Sequence, residues 1–110
     1  MAYDVGLAER LNDAVAHVPG MTFTGMFGGY GYLLNGNMCM GIHKDTLIVR
    51  VGTDFAQKIL QEPHVRPTDF TGKVMSGWAT IEPEALESDT ALYRYCQLAI
   101  SFVSTLPKKA

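Results

Sequence analysis

Side-chain catalysis needs a nucleophile beside a base, a pair of carboxylates, or a cluster of metal ligands. The serines of this chain are Ser76, Ser88, Ser101 and Ser104, and none lies in a GxSxG turn. The histidines His17, His43 and His64 are scattered and lack the HExxH spacing. Cys39 and His43 share one parity of a strand, but four strand residues span roughly 13 Å, too far for one metal. Cys39 and Cys96 form neither CxxC nor a zinc spacing, and Cys96 falls on a helical apolar stripe as a core residue does. Asp45 and Asp69 read as turn residues bonded to their own backbone. Gly25, Gly28, Gly29 and Gly31 could cradle a phosphate, but a strand follows them where a phosphate loop needs a helix, so a bend or bulge fits better. The expectation is a protein with no catalytic residue, no cofactor and no metal.

The elements that position these residues centre on Met21 to Gly52. Asn35-Gly36 and Lys44-Asp45 separate short apolar runs, which predicts a meander of antiparallel strands. A two-residue loop at Lys44-Asp45 sets His43 against Thr46, Ile42 against Leu47, Met40 against Val49 and Met38 against Val51. The last six are apolar and define the face that takes the helices. A type I′ turn at Asn35-Gly36 pairs Leu34 with Asn37 and Leu33 with Met38. Gly31 then faces Met40, and Tyr30 and Tyr32 fall with Cys39, Ile48 and Arg50 on the opposite, mixed face. A three-residue loop would reverse the strand and bury both tyrosines; Asn-Gly favours the shorter loop.

Helices flank this meander. Leu7, Leu11, Ala14, Val15 and Val18 recur at helical spacing over residues 5–18, with Asp4 as cap and Pro19-Gly20 as stop. Thr53 opens a second helix closed by Pro63. Residues 62–72, with Pro63 and Pro67, read as a stiff connector pinned by Val65 and Phe70, with Arg66 and Asp69 pairing across it. Lys73 to Ile81 is a strand, and Glu82-Pro83-Glu84 a short helical turn. Ser88 or Asp89 caps a last helix whose stripe is Leu92, Tyr95, Cys96, Ala99, Phe102, Val103 and Leu106. Lys108, Lys109 and Ala110 are expected to fray. The order is helix, four strands, helix, strand, helix. That predicts one α+β domain over residues 1–110: two layers, an antiparallel sheet of about five strands, and helices packed on one face.

Composition narrows the function classes. Hydrophobic residues make up 47% of the 110-residue chain and charged residues 18%, which suits one compact domain that buries part of its surface against a partner. A net charge of -2 with no basic run gives no electrostatic footprint for nucleic acid, although Tyr30, Tyr32 and Arg50 on an open sheet face would make a stacking platform. No signal peptide and no apolar run approaching 18 residues is present, so no membrane contact is expected and the compartment read is the cytoplasm.

Met26-Phe27-Gly28-Gly29, Gly31-Tyr32, Asn35-Gly36-Asn37-Met38, Gly41-Ile42 and Leu47-Ile48-Val49-Arg50-Val51 resemble the N-terminal domain of the TfoX/Sxy regulators of natural competence. Arg66-Pro67-Thr68-Asp69-Phe70-Thr71-Gly72, Met75, Gly77-Trp78 and Pro83-Glu84 are similar to short stand-alone members. The resemblance runs from about Leu7 to Leu106. Ile48 stands where leucine is usual. The resemblance implies a two-layer α+β domain, a regulatory role without the competence regulators' C-terminal helical domain, and no catalytic residue or cofactor. Together these readings predict a non-enzymatic interaction or regulatory module. It would bind a protein, or a second copy of itself, through the mixed sheet face. The candidate contacts are Tyr30, Tyr32, Ile48, Arg50, Arg66 and Trp78, with both arginines set beside Tyr32 and Trp78 for an anionic group. A nucleic-acid-associated regulator of transcription or competence, and a small enzyme or ligand-binding protein with its site near the Gly-rich turn, are the alternatives.

Overall fold

A computed structural model describes residues 3–25, 30–69 and 72–109. Helix α1 spans Val5–Val15. The strands β1 Met21–Thr24, β2 Tyr30–Leu34, β3 Asn37–His43 and β4 Thr46–Arg50 follow, then α2 Thr53–Ile59. Strands β5 Val65–Asp69 and β6 Val74–Ile81, a 3-10 turn at Pro83–Ala85 and helix α3 Asp89–Val103 complete the order. Among the described residues the strands form one antiparallel sheet in the order β1-β2-β3-β4-β6-β5. Its inner side chains join those of the helices in a single core, so the fold is the expected two-layer α+β class.

Helices α1 and α3 start where a side chain supplies an acceptor, whereas α2 starts at Gly52 with no side-chain cap. The Asp4 carboxylate accepts from the Leu7 amide at 3.0 Å, and the Ser88 hydroxyl accepts from the Ala91 amide at 3.1 Å. Leu7, Leu11 and Val15 of α1 are buried, as are Leu92, Tyr95, Cys96, Ala99 and Val103 of α3. Both helices end about a turn earlier than the apolar stripes suggest, because Val18 and Leu106 cover the core from turns instead.

The second hairpin has the expected register next to its turn: Met40 faces Val49, Ile42 faces Leu47 and His43 faces Thr46, whereas the expected Met38–Val51 pair does not form. Met40, Ile42, Leu47, Val49 and Val51 are fully buried. The first hairpin begins as expected, with Asn35 at φ 53° and Gly36 at φ 83°, Leu34 against Asn37 and Leu33 against Met38. It then changes register. A bulge at Cys39 sets Tyr32 against Met40, Gly31 against Gly41 and Tyr30 against Ile42. One inserted residue turns every later side chain over. Tyr30 and Tyr32 therefore face α1 rather than the mixed face, Cys39 enters the core, and Met38, expected inside, is 36% exposed.

The proline-bearing connector is also corrected. Residues 65–69 form an edge strand beside β6, where Pro67 needs no donor because its outer side faces solvent. Val65 and Thr68 are buried, and the Thr68 and Thr80 hydroxyls share a hydrogen bond of 2.9 Å. Arg66 lies 4.0 Å from Glu82 rather than pairing with Asp69. Phe70, expected to pin this stretch, and Gly28 and Gly29 of the Gly-rich bend lie outside the described residues.

The described end of the chain is tied down where fraying was expected, while Ala110 lies outside the described residues. The Lys109 amide donates to the Asn35 carbonyl at 2.9 Å, and the Asn37 side chain donates to the Pro107 carbonyl at 2.9 Å. The tail crosses the β2–β3 turn so closely that a Cβ on Gly36 would lie 2.6 Å from the Lys109 carbonyl oxygen.

Candidate interaction surface

The six residues singled out from sequence do not share a surface. Tyr30 donates its hydroxyl to the Ala8 carbonyl at 3.1 Å and lies 3.3 Å from the Tyr32 hydroxyl, which donates to Asn12 Oδ1 at 2.6 Å. Burial, with Tyr30 beside it, pushes the Tyr32 phenol well above its ordinary range, so it stays neutral. Both rings fasten α1 to β2 and cannot form an open stacking platform.

The other four fall in paired positions on β4, β6 and β5. Arg50 faces Trp78, Ile48 faces Thr80, and Thr80 faces Arg66. Strand alternation turns them away from the core residues Leu47, Val49, Ala79 and Ile81. Ile48 is only 1% exposed and Trp78 is buried, so neither offers contact area. The Arg50 guanidinium lies 5.8 Å from the Trp78 ring and 6.0 Å from the Phe102 ring, and reaches the Met38 carbonyl at 3.4 Å. Arg50 thus covers an aromatic pair of its own chain.

The titratable groups with displaced pKa values are held by the fold. Burial pushes both the Cys39 and Cys96 thiols up to about 12, against a small lowering at Cys39 from Arg50. They are free, buried and uncharged at neutral pH, which removes their nucleophilic form. Glu62 accepts two hydrogen bonds from Arg94 and one of 2.6 Å from the Tyr95 hydroxyl. Arg94 holds the Glu62 carboxyl below its usual range, and burial followed by Glu62 raises the Tyr95 phenol. That trio clamps the α2–β5 connection to α3. A groove of about 490 Å³ between α1 and α3 is lined by Arg10, Asp13, His17, Asp89 and Tyr93. Arg10 there is already engaged with Asp89 at 3.1 Å and the Leu86 carbonyl at 2.7 Å. Among the described residues no three His, Cys, Asp or Glu side chains gather as a metal site, and no helix is long and apolar enough to cross a membrane.

The surface that sequence reasoning missed is the edge strand β1. Phe23 is 58% exposed, with its ring 5.0 Å from Tyr30 and 6.0 Å from Tyr32; the Tyr3 ring lies 5.2 Å from Tyr30 at a tilt of 50°. An aromatic row thus runs from beneath α1 to the sheet edge and ends in an open ring. The two edges differ in chemistry. β5 carries Arg66, Pro67 and Asp69, devices that discourage strand addition, whereas β1 reads Met21-Thr22-Phe23-Thr24 and carries neither charge nor proline. The sequence displays this composition, but only the strand order shows which strands are edges.

The model for the TfoX N-terminal domain matches residues 13–103, most of the chain. No curated protein and no solved structure matches it.

Proposed function

Because the chain belongs to the TfoX N-terminal domain family, we propose that it is a regulatory, protein-binding module rather than an enzyme, and that its contact surface is the open edge of β1. The carrying observation is the contrast between the edges: β5 carries Pro67 and two charges, while β1, last in the sheet among the described residues, carries neither and holds an exposed phenylalanine. Strand addition uses these features, with main-chain bonds for affinity and an adjacent ring for selectivity. The uncharged thiols and the satisfied Glu62–Arg94–Tyr95 cluster support a binding rather than a catalytic role. A net charge of -2 favours control of transcription or competence through a protein contact over direct contact with nucleic acid. Two free cysteines fit work in the reducing cytoplasm.

A photo-crosslinking side chain placed at Thr22 tests this in cells, with one at Arg66 on the opposite edge as control. The expected result is a discrete protein adduct from position 22 that disappears in Phe23→Asp. Equal labelling from both edges, or an adduct indifferent to Phe23, overturns the assignment.

A further inference from the structure

The hydrogen-bond phase of β1 determines what kind of strand its edge accepts. The Asn35 amide donates to the Gly20 carbonyl at 3.0 Å, so residues 20 and 35 lie at a bonded position of the ladder. The register runs without a shift from Met21–Leu34 to Thr24–Gly31, so the bonded positions recur at Thr22–Leu33 and Thr24–Gly31. Thr22 and Thr24 thus turn their peptide groups toward β2, and Phe23 turns its N–H and C=O outward. The Met21 amide is already committed to the Val18 carbonyl at 3.0 Å. The strand therefore has its outward donor at Phe23, with an acceptor on the same residue.

That arrangement is complementary to itself. We infer that β1 pairs antiparallel with β1 of a second copy about a two-fold axis at Phe23, joining two sheets into one; this rests on the protein-binding reading of the edge and names its occupant. Around such an axis each Phe23 N–H donates to the carbonyl of the other Phe23. Each Thr22 faces Thr24 of the other copy, and each Met21 faces Gly25, whose Cβ position has nothing within 4 Å. Aromatic–aromatic and threonine–threonine pairs are favourable cross-strand neighbours. Residues 20–25 hold no charge, so the two-fold sets no like charges together. A closed two-fold pair consumes both copies of the edge and stops there. The β5 edge cannot substitute, because Pro67 lacks a donor. A four-residue seam is short, so the expected dissociation constant is on the order of 10–100 µM, as for transient contacts.

Sedimentation of the full chain from about 10 to about 500 µM should show a reversible monomer–dimer equilibrium. Phe23→Asp, at an exposed position, should weaken it at least tenfold while leaving the circular dichroism and melting curve in place. Phe23→Cys adds a register test, since a bonded antiparallel pair holds its Cα atoms about 5.5 Å apart, within disulfide reach. Under diamide, Phe23→Cys should form a 23–23 linked dimer several-fold faster than Thr22→Cys, whose counterpart is Thr24. An entirely monomeric wild type, a dimer that survives Phe23→Asp, or equal linking at 22 and 23 each overturns the inference. These outcomes separate from the in-cell test: a monomer that still yields a discrete adduct at position 22 removes self-pairing and leaves the protein-binding reading standing.

Discussion

Arg50 illustrates how far a single residue's role depends on what lies beside it. Sequence parity places it on an open face for an anionic partner, yet its guanidinium covers Trp78 and Phe102. Arg50→Glu should lose both contacts and lower stability by roughly 1–2 kcal/mol, since each exposed cation–π contact contributes about 0.5–1 kcal/mol. Thermal denaturation measures this, and an unchanged melting temperature would return Arg50 to the surface role. The buried thiols give a second residue-scale prediction. Folding raises each from 9.0 to about 12. The folded state therefore keeps protons that the unfolded state releases, and their contribution to stability is complete below pH 9 and lost on rising toward pH 12. The slope is up to about 1.4 kcal/mol per pH unit for each thiol. Urea midpoints measured at increasing pH above 9 should fall less steeply for Cys39→Ala/Cys96→Ala than for the wild type.

Among the elements, the two hairpins show what a sequence can and cannot specify. The β3–β4 register was legible near the turn, where Ile42 and Met40 have apolar counterparts in Leu47 and Val49, but the expected Met38–Val51 pair is absent because the bulge at Cys39 turns Met38 outward. In β2 and β3 the turn was legible but the bulge was not. Cys39 and Met40 are both apolar and both end in the core, so the pattern gives no sign of which one is extra. The closing turn itself admits a test. Gly36 is held at φ 83° and pressed by the tail. Gly36→Ala should cost roughly 1–3 kcal/mol, combining backbone strain with the collision. Removing residues 107–110 should relieve the collision and leave the strain, so the same substitution should cost measurably less in the truncated chain. Equal costs in the two backgrounds would show that the tail exerts no pressure on the turn. The strand β5 was hidden for a different reason. Pro67 argues against a strand only where both neighbours need donors, and its edge position emerges only after β6 has paired with β4.

For the molecule as a whole, the two-layer class was readable from alternating and helical apolar periods, and the candidate surface was not. Interaction sites on a sheet depend on which strands are last, and strand order follows long-range pairing between β4 and β6 across some thirty residues of chain. If the β1 edges join, dimerisation should also add stability by mass action. The melting temperature should then rise with protein concentration in the wild type and stay level in Phe23→Asp. A concentration-independent wild type would count against the seam.

The tail strapped over the β2–β3 turn has a spatial consequence for such a pair. One residue, Asn35, donates its amide to the Gly20 carbonyl at the entrance of β1 and accepts at its carbonyl from the Lys109 amide near the end of the described chain. Whatever is joined after Lys109 therefore departs beside one end of the seam, and its counterpart in the second copy departs beside the other. Gly20 lies three residues from the axis at Phe23, so the two departure points stand about 20 Å apart, six strand rises of about 3.4 Å. Donor and acceptor dyes attached there would exchange energy efficiently across the pair, and Phe23→Asp should abolish that transfer. The same spacing would hold any two appended domains side by side on a fixed baseline.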